Sequence, residues 1–203
     1  MTTSGRIELM APAGNFESMQ AALDNGCDSI YFGVEQLNMR ARATVNFVLD
    51  DLPEIARRCN EKNVRTYLTL NTIIYDHDLS IVKTLLTKAK EAGITAVIAS
   101  DQAVIMTART IGIEVHISTQ LNVTNIETVK FYAMFADTIV LSRELSLRQV
   151  KKITEDIEKE QVKGPSGNLV EIEIFGHGAL CMAVSGKCYL SLHSHNSSAN
   201  RGA

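Results

Sequence analysis

From residue 7 onward the chain alternates short apolar runs of strand length with longer amphipathic stretches of helix length. Strand-like runs fall at 7–11, 28–33, 64–70, 96–99, 114–118, 137–141 and 169–175. Helix-like stretches fall between them at 15–26, 50–63, 78–93, 101–111, 125–135 and 145–160. A helix between two strands carries the chain back to the end it started from, so consecutive strands must run parallel. Punctuation agrees with the periods: Asn15 is placed to cap the first helix, Gly26 to end it, and Pro53 to open the second.

Two architectures use such a chain, an open doubly wound sheet and a (β/α) barrel. The open sheet calls for Gly-x-Gly-x-x-Gly after the first strand, and Pro12-Ala13-Gly14-Asn15 is not that. The even repeat points instead to a TIM-like (β/α) barrel of the α/β class. About seven strands are visible, and the run stops at Asn200-Arg201-Gly202-Ala203 without an eighth. The reading is therefore an incomplete barrel over residues 1–178. Residues 179–203 would begin a cysteine-bearing segment across the barrel mouth, in a chain that looks truncated.

The net charge of −3 gives no global pull toward nucleic acid, so RNA contact would need a local patch. No apolar run approaches the ~20 residues of a membrane span, and the N-terminus lacks a signal core. The expectation is a cytoplasmic chain with no secretory partner, in which the sequons at Asn122 and Asn196 carry no meaning. Four cysteines in such a compartment should be reduced, metal-bound or catalytic. Cys27 and Cys59 sit where small buried residues are expected.

Barrel enzymes work at the C-terminal ends of their strands. Reading those ends gives Asn38, Arg40 and Arg42 after the second strand, Asn71 after the third, and Ser100 and Asp101 after the fourth. His116 and Gln120 follow on the fifth, Arg143 and Glu144 on the sixth, and His177 on the seventh. Guanidinium forks in a shared mouth suit an anionic ligand, carboxylate or phosphate. Each residue also has a plainer role: Arg40 and Arg42 as solvated charges, Asp101 as a helix cap, Arg143 paired with Glu144, His116 as a core histidine.

Cys181 and Cys188 are separated by six residues, with a Ser185-Gly186 turn between them. Two thiolates so spaced can share one metal, although zinc knuckles use shorter gaps and an iron–sulfur cluster wants four cysteines. His177, His193 and His195 nearby keep zinc open, and two structural cysteines fit the spacing as well.

The stretch from Glu173 through Phe175-Gly176-His177-Gly178, Cys181 and Cys188 to Ser191 resembles the signature of the collagenase-like protease family, peptidase family U32. The resemblance extends to Leu9-Met10-Ala11-Pro12-Ala13-Gly14, Tyr31-Phe32-Gly33 and Asn38-Met39-Arg40-Ala41-Arg42. It continues in Leu68-Thr69-Leu70-Asn71-Thr72, His116-Ile117-Ser118-Thr119-Gln120-Leu121-Asn122 and Ser142-Arg143-Glu144-Leu145-Ser146-Leu147. The resemblance implies oxygen-independent hydroxylation of a tRNA or rRNA base, with prephenate as a co-substrate, or of a quinone ring. It also implies a [4Fe–4S] cluster in the full-length protein, with Cys181 and Cys188 as its first two ligands and the others beyond Ala203.

Three readings follow. The first is a hydroxylase acting on RNA or a small molecule, with Arg40, Arg42 and Arg143 holding an anionic co-substrate and Asn71 and Gln120 orienting it. The second is a peptidase, for which neither His-Glu-x-x-His nor Gly-x-Ser-x-Gly is present, leaving Cys181 with His177 as a conceivable nucleophile and base. The third is a non-catalytic binding domain with structural cysteines.

Overall fold

A computed structural model describes residues 7–34, 47–178, 181–189, 193 and 198. The order is β1 (Met10–Pro12), α1 (Phe16–Asp24), β2 (Ser29–Phe32), α2 (Leu52–Glu61), β3 (Arg65–Leu70), α3 (Leu79–Ala92), β4 (Ala96–Ala99) and α4 (Gln102–Ile111). Then come β5 (Glu114–Ile117), α5 (Ile126–Ala133), β6 (Thr138–Val140), α6 (Leu147–Glu160) and β7 (Glu171–Glu173). All seven strands join one sheet in chain order, β1 to β7, and every neighbouring pair is parallel.

That order decides the architecture. Right-handed crossovers between successive strands put every helix on the same face. The other face can leave water only if the sheet curls on itself, so the result is a curled, TIM-like half-barrel. β1 and β7 are its edges among the described residues, as the sequence reading expected.

Each face has its own apolar cluster. Ile30, Phe32, Leu68, Leu70, Val97, Ala99, Val115, Ile117, Ile139 and Leu141 point outward and pack under the helices in one continuous core. Tyr67, Ala96 and Ile98 point inward with Met10 and Tyr31. Phe47 seals the outer layer near α1, edge-on to Phe16 at 5.1 Å and to Phe32 at 5.6 Å.

The helices begin where short polar side chains satisfy their first N–H groups. Asn15 accepts from Ser18 N at 2.7 Å, Asp101 from Ala103 N at 2.8 Å and Asn125 from Thr128 N at 3.0 Å. They end in glycine where the chain turns left-handed, at Gly93 with φ 82° and Gly112 with φ 80°.

Three short 3-10 turns, Leu49–Asp51, Asp76–Asp78 and Thr119–Leu121, were not foreseen. Each lies in a polar segment where a side chain closes the turn locally: Asp51 on Val48 N, Asp78 on Tyr75 N, Ser118 on Gln120 N. The first strand also lies further along than residues 7–11: Leu9 N–H is taken by the Asp28 side chain, and its carbonyl accepts from Asp28 N and Ser29 N at the start of β2. The long loop expected after the second strand lies mostly outside the described residues.

Leu68 is fully buried between sheet and helices. Leu68→Ala should cost about 2–5 kcal/mol in denaturant unfolding, and Asn125→Ala about 1 kcal/mol.

Candidate functional site

The strand ends converge on a polar cleft. Asn71, Thr72 and Ile73 from the end of β3, Ser100, Asp101 and Gln102 from the end of β4, and Gln120 and Leu121 after β5 enclose about 220 Å³. Gly186 closes the remaining side. Asp101 is used structurally, since its second carboxylate oxygen accepts Ile74 N at 3.0 Å while the first caps α4. It therefore fastens the loop after β3 to the end of β4. Thr72 is buried, and among the described residues its hydroxyl has no hydrogen-bond partner. Ser142 donates to Asn122 Oδ1 at 2.6 Å and so links the ends of β5 and β6.

Gly186 belongs to a strap, residues 181–189, lying against this mouth. Val184 and Lys187 bridge antiparallel, with Lys187 N donating to Val184 O at 2.9 Å around the Ser185-Gly186 turn. Gly186 has φ 73°, and a Cβ there would stand 2.1 Å from Gln120 O, so glycine is required twice over.

Ser185 is fully buried and carries the attachment. Its N–H donates to Glu144 Oε1 at 2.6 Å, and its hydroxyl donates to Glu144 Oε2 at 3.1 Å. Arg143 completes the clamp. Its backbone N–H and its Nε each reach Ser185 Oγ at 3.4 Å, and Nη2 donates to Ala183 O at 3.1 Å. A carboxylate taking two donors from one residue is a charge-assisted anchor of the strong kind.

The two strap cysteines differ. Cys181 is exposed, and the Arg143 guanidinium beside it, helped by Ala183 N–H, holds its thiol below the usual range. Cys188 is half-buried. Burial pushes the thiols of the two core cysteines the other way, up for Cys27 and to about 11 for Cys59.

Beneath the mouth the barrel lumen is charged. Tyr67 donates to Glu8 Oε1 at 2.8 Å, and Arg65 pairs with Glu8. His116, only 3% exposed, lies 4.5 Å from the Tyr67 ring and places Nε2 3.2 Å from Glu114 Oε1. That hydrogen bond outweighs burial and holds the Glu114 carboxyl below the usual carboxylate range. Among the described residues, His116 Nδ1 is buried without a partner. Burial pushes Tyr67 up to about 12, and it also raises the carboxyl of Glu173, which His116 only partly offsets.

The residues expected from sequence thus divide. Asn71 and Gln120 line one cleft. Arg143 and Cys181 stand side by side, with Arg143 committed to the strap rather than held out as an open fork. His116 lies below, inside the lumen, and His177 is exposed on the stretch after β7. Asn38, Arg40 and Arg42 lie outside the described residues. Among the described residues no three His, Cys, Asp or Glu side chains gather as a metal set. The strap offers two cysteines, not the four that a [4Fe–4S] cluster takes.

Thr72 and Glu173 had not been named as site residues, and the contact between Glu144 and Ser185 was not foreseen. Glu144 and Ser185 were legible only as a strand end and a turn, and their meeting is a contact over 41 positions. Glu173 carries a weak signal: it is the last strand residue before the glycine–histidine stretch, two positions after Glu171 on the same face.

Alkylation by iodoacetamide should be fastest at Cys181 and should follow an apparent pKa below the ~8.5 of a free thiol. Arg143→Gln should move that midpoint upward, while Cys27 and Cys59 label slowly in both proteins. Gly186→Ala should leave the thermal transition of the barrel nearly unchanged, yet raise protease cutting within residues 181–189.

The geometry has clear relatives. Residues 14–203 match the sequence profile of peptidase family U32. A collagenase of Porphyromonas gingivalis is 57% identical over 97% of this chain and 48% of its own length. A tRNA hydroxylation protein of Bacillus subtilis is 31% identical over 96% and 44%. A 23S rRNA 5-hydroxycytidine synthase of Escherichia coli is 34% identical over 98% and 29%. The chain therefore spans about half the length, or less, of these curated relatives. Among solved structures, a U32 peptidase aligns with TM-score 0.62 at 15% identity, over 86% of this chain and 70% of that one, which supports the fold alone. With its profile match covering nearly the whole sequence, the chain belongs to peptidase family U32.

Proposed function

We propose that this chain is the barrel part of an enzyme for oxygen-independent hydroxylation, acting on a tRNA or rRNA base, with a quinone ring as the alternative substrate. The observation that carries the reading is the Cys181 thiol, set beside Arg143 on a strap clamped over a polar mouth. A thiol biased toward thiolate is what a metal or cluster ligand needs. Cys181 and Cys188 are proposed as two thiolate ligands of an iron–sulfur cluster in the full-length protein. Relatives named for tRNA and rRNA hydroxylation support the RNA substrate.

The described residues also suggest a division of labour. Asn71 and Gln120 offer neutral donors and acceptors, suited to orienting a polar planar ligand. Arg143 is engaged by the strap, so the anionic co-substrate, prephenate in this proposal, falls to Arg40 and Arg42. His177, exposed after β7, is proposed to meet ligand at the rim of the mouth. Residues 1–178 form the barrel domain in this reading, and 179–203 open the cysteine-bearing segment.

A second reading is proteolysis, which the 57% identical relative named collagenase supports. It would use Cys181 as nucleophile, but the group beside that thiol is a guanidinium, not an imidazole base. No helix among the described residues is long and apolar enough to cross a membrane.

The test uses the full-length protein. Cells carrying Cys181→Ala should lose a hydroxylated nucleoside, by mass spectrometry of total RNA, to below a tenth of the wild-type level. Purified wild type should leave gelatin and casein uncut. Robust cleavage abolished by the substitution, with RNA and quinone profiles unchanged, would establish the peptidase instead.

A further inference from the structure

The cleft at the mouth has a larger neighbour in the helical layer. Between the starts of α5 and α6 lies a groove of about 490 Å³. Its α5 wall carries Thr124 and Asn125, and its α6 wall carries Arg148, Gln149, Lys152 and Asp156. Ile126 and Ile153 add apolar surface between them. Both helices begin just after β5 and β6 have brought the chain to the C-terminal end of the sheet, so the groove opens on the side of the mouth.

The helix caps decide what this groove presents. Asn125 uses its Oδ1 to accept from Thr128 N at 3.0 Å and Thr128 Oγ1 at 3.1 Å. Gln149 uses its Oε1 to accept from Ser146 N at 2.9 Å and Ser146 Oγ at 2.8 Å. The NH2 donors of both amides are left without an acceptor among the described residues. Asp156, the carboxylate on the α6 wall, is taken by Lys152, and Glu127 in the first turn of α5 is taken by Lys130. Arg148, in the first turn of α6, is exposed and has no hydrogen-bond or ion-pair partner among the described residues. The acceptors around the groove are thus engaged, and its open groups are one guanidinium and two amide donors. That set suits an anion with several oxygens, and a guanidinium fork matches phosphate in particular.

We infer that this groove holds a backbone phosphate of the RNA strand whose base enters the mouth, with Arg148 as its principal contact. The inference rests on the proposed RNA substrate and adds the place where the charge of the strand is met. Gln120 of the cleft and Thr124 of the groove are four positions apart in the chain. Their Cα atoms are therefore at most about 14 Å apart. One strand can span both, with a base in the cleft and a phosphate on Arg148. A chain of net charge −3 draws RNA only through such a local set of donors. A phosphate contact fixes the register of the strand and reads no base, so Arg148 binds and leaves the chemistry to the mouth.

The experiment compares the full-length wild type with Arg148→Gln, Arg148→Lys and Lys83→Gln. Lys83 is exposed on α3, so its substitution removes the same charge away from the groove. Binding is read by filter retention of labelled RNA from cells that lack the protein, over a range of salt concentrations. Arg148→Gln should weaken binding about 10-fold. It should also lower the slope of log affinity against log salt by about 1. In hydroxylation of the same RNA, KM should rise about as much, with kcat within about twofold. Arg148→Lys should recover part of the affinity, and Lys83→Gln should match wild type. Binding by Arg148→Gln equal to wild type overturns the inference. An equal loss in Lys83→Gln does so too, as does failure of the wild type to retain the RNA. If the wild type makes no hydroxylated nucleoside while Arg148→Gln alone still weakens RNA binding, the hydroxylase reading falls and the groove stands.

Discussion

Consecutive parallel pairing is the constraint from which the rest of this structure follows. Seven strands in chain order, each returned to the same edge by a helix, place all the helices on one side. The bare side must then curl inward, so every C-terminal strand end converges on one mouth and every second strand residue faces one lumen. Residues as far apart in sequence as Asn71, Gln120 and Gly186 line a single cleft for that reason. The same geometry forces Glu8, Glu114, His116 and Glu173 to share a confined interior, where each needs a partner or a proton.

Two local devices turn this frame into a site. One is the clamp that Glu144 and Arg143 make on Ser185 and Ala183, which seats the strap against the end of β5. The clamp also brings the guanidinium beside Cys181, so the residue that holds the strap also sets the thiol. The other is the lumen network, in which Tyr67 packs on His116 and hydrogen-bonds Glu8, while His116 hydrogen-bonds Glu114. Position and protonation of the reactive groups are thus fixed by contacts that hold the fold together.

Much of the frame was legible in the sequence because it rests on local rules. Asn15 and Asp101 announce helix starts by side-chain chemistry acting over two or three residues. The apolar runs of β2 and β4 are bounded as read, within a residue or two. The site was legible by kind and not by pairing. Asn71 and Gln120 could be assigned to the mouth from strand ends alone. Arg143 was assigned to an anion, since nothing local says that a strap forty residues later will occupy its guanidinium. Glu173 shows the same limit: its neighbours Val140 and His116 come from other strands, and only the register places them together. Asn38, Arg40 and Arg42 fall outside the described residues, so their role rests on the proposal.

The central structural claim is that Glu144 holds the cysteine strap on the barrel mouth, and amide hydrogen exchange at Ser185 tests it most directly. In the wild type the Ser185 N–H, donated to Glu144, should exchange slowly, well below the rate of an open turn. In Glu144→Ala that amide should exchange at nearly the rate of an unstructured chain, with the amides of β3 and β5 unaltered. Equal protection of Ser185 in the two proteins would contradict the account.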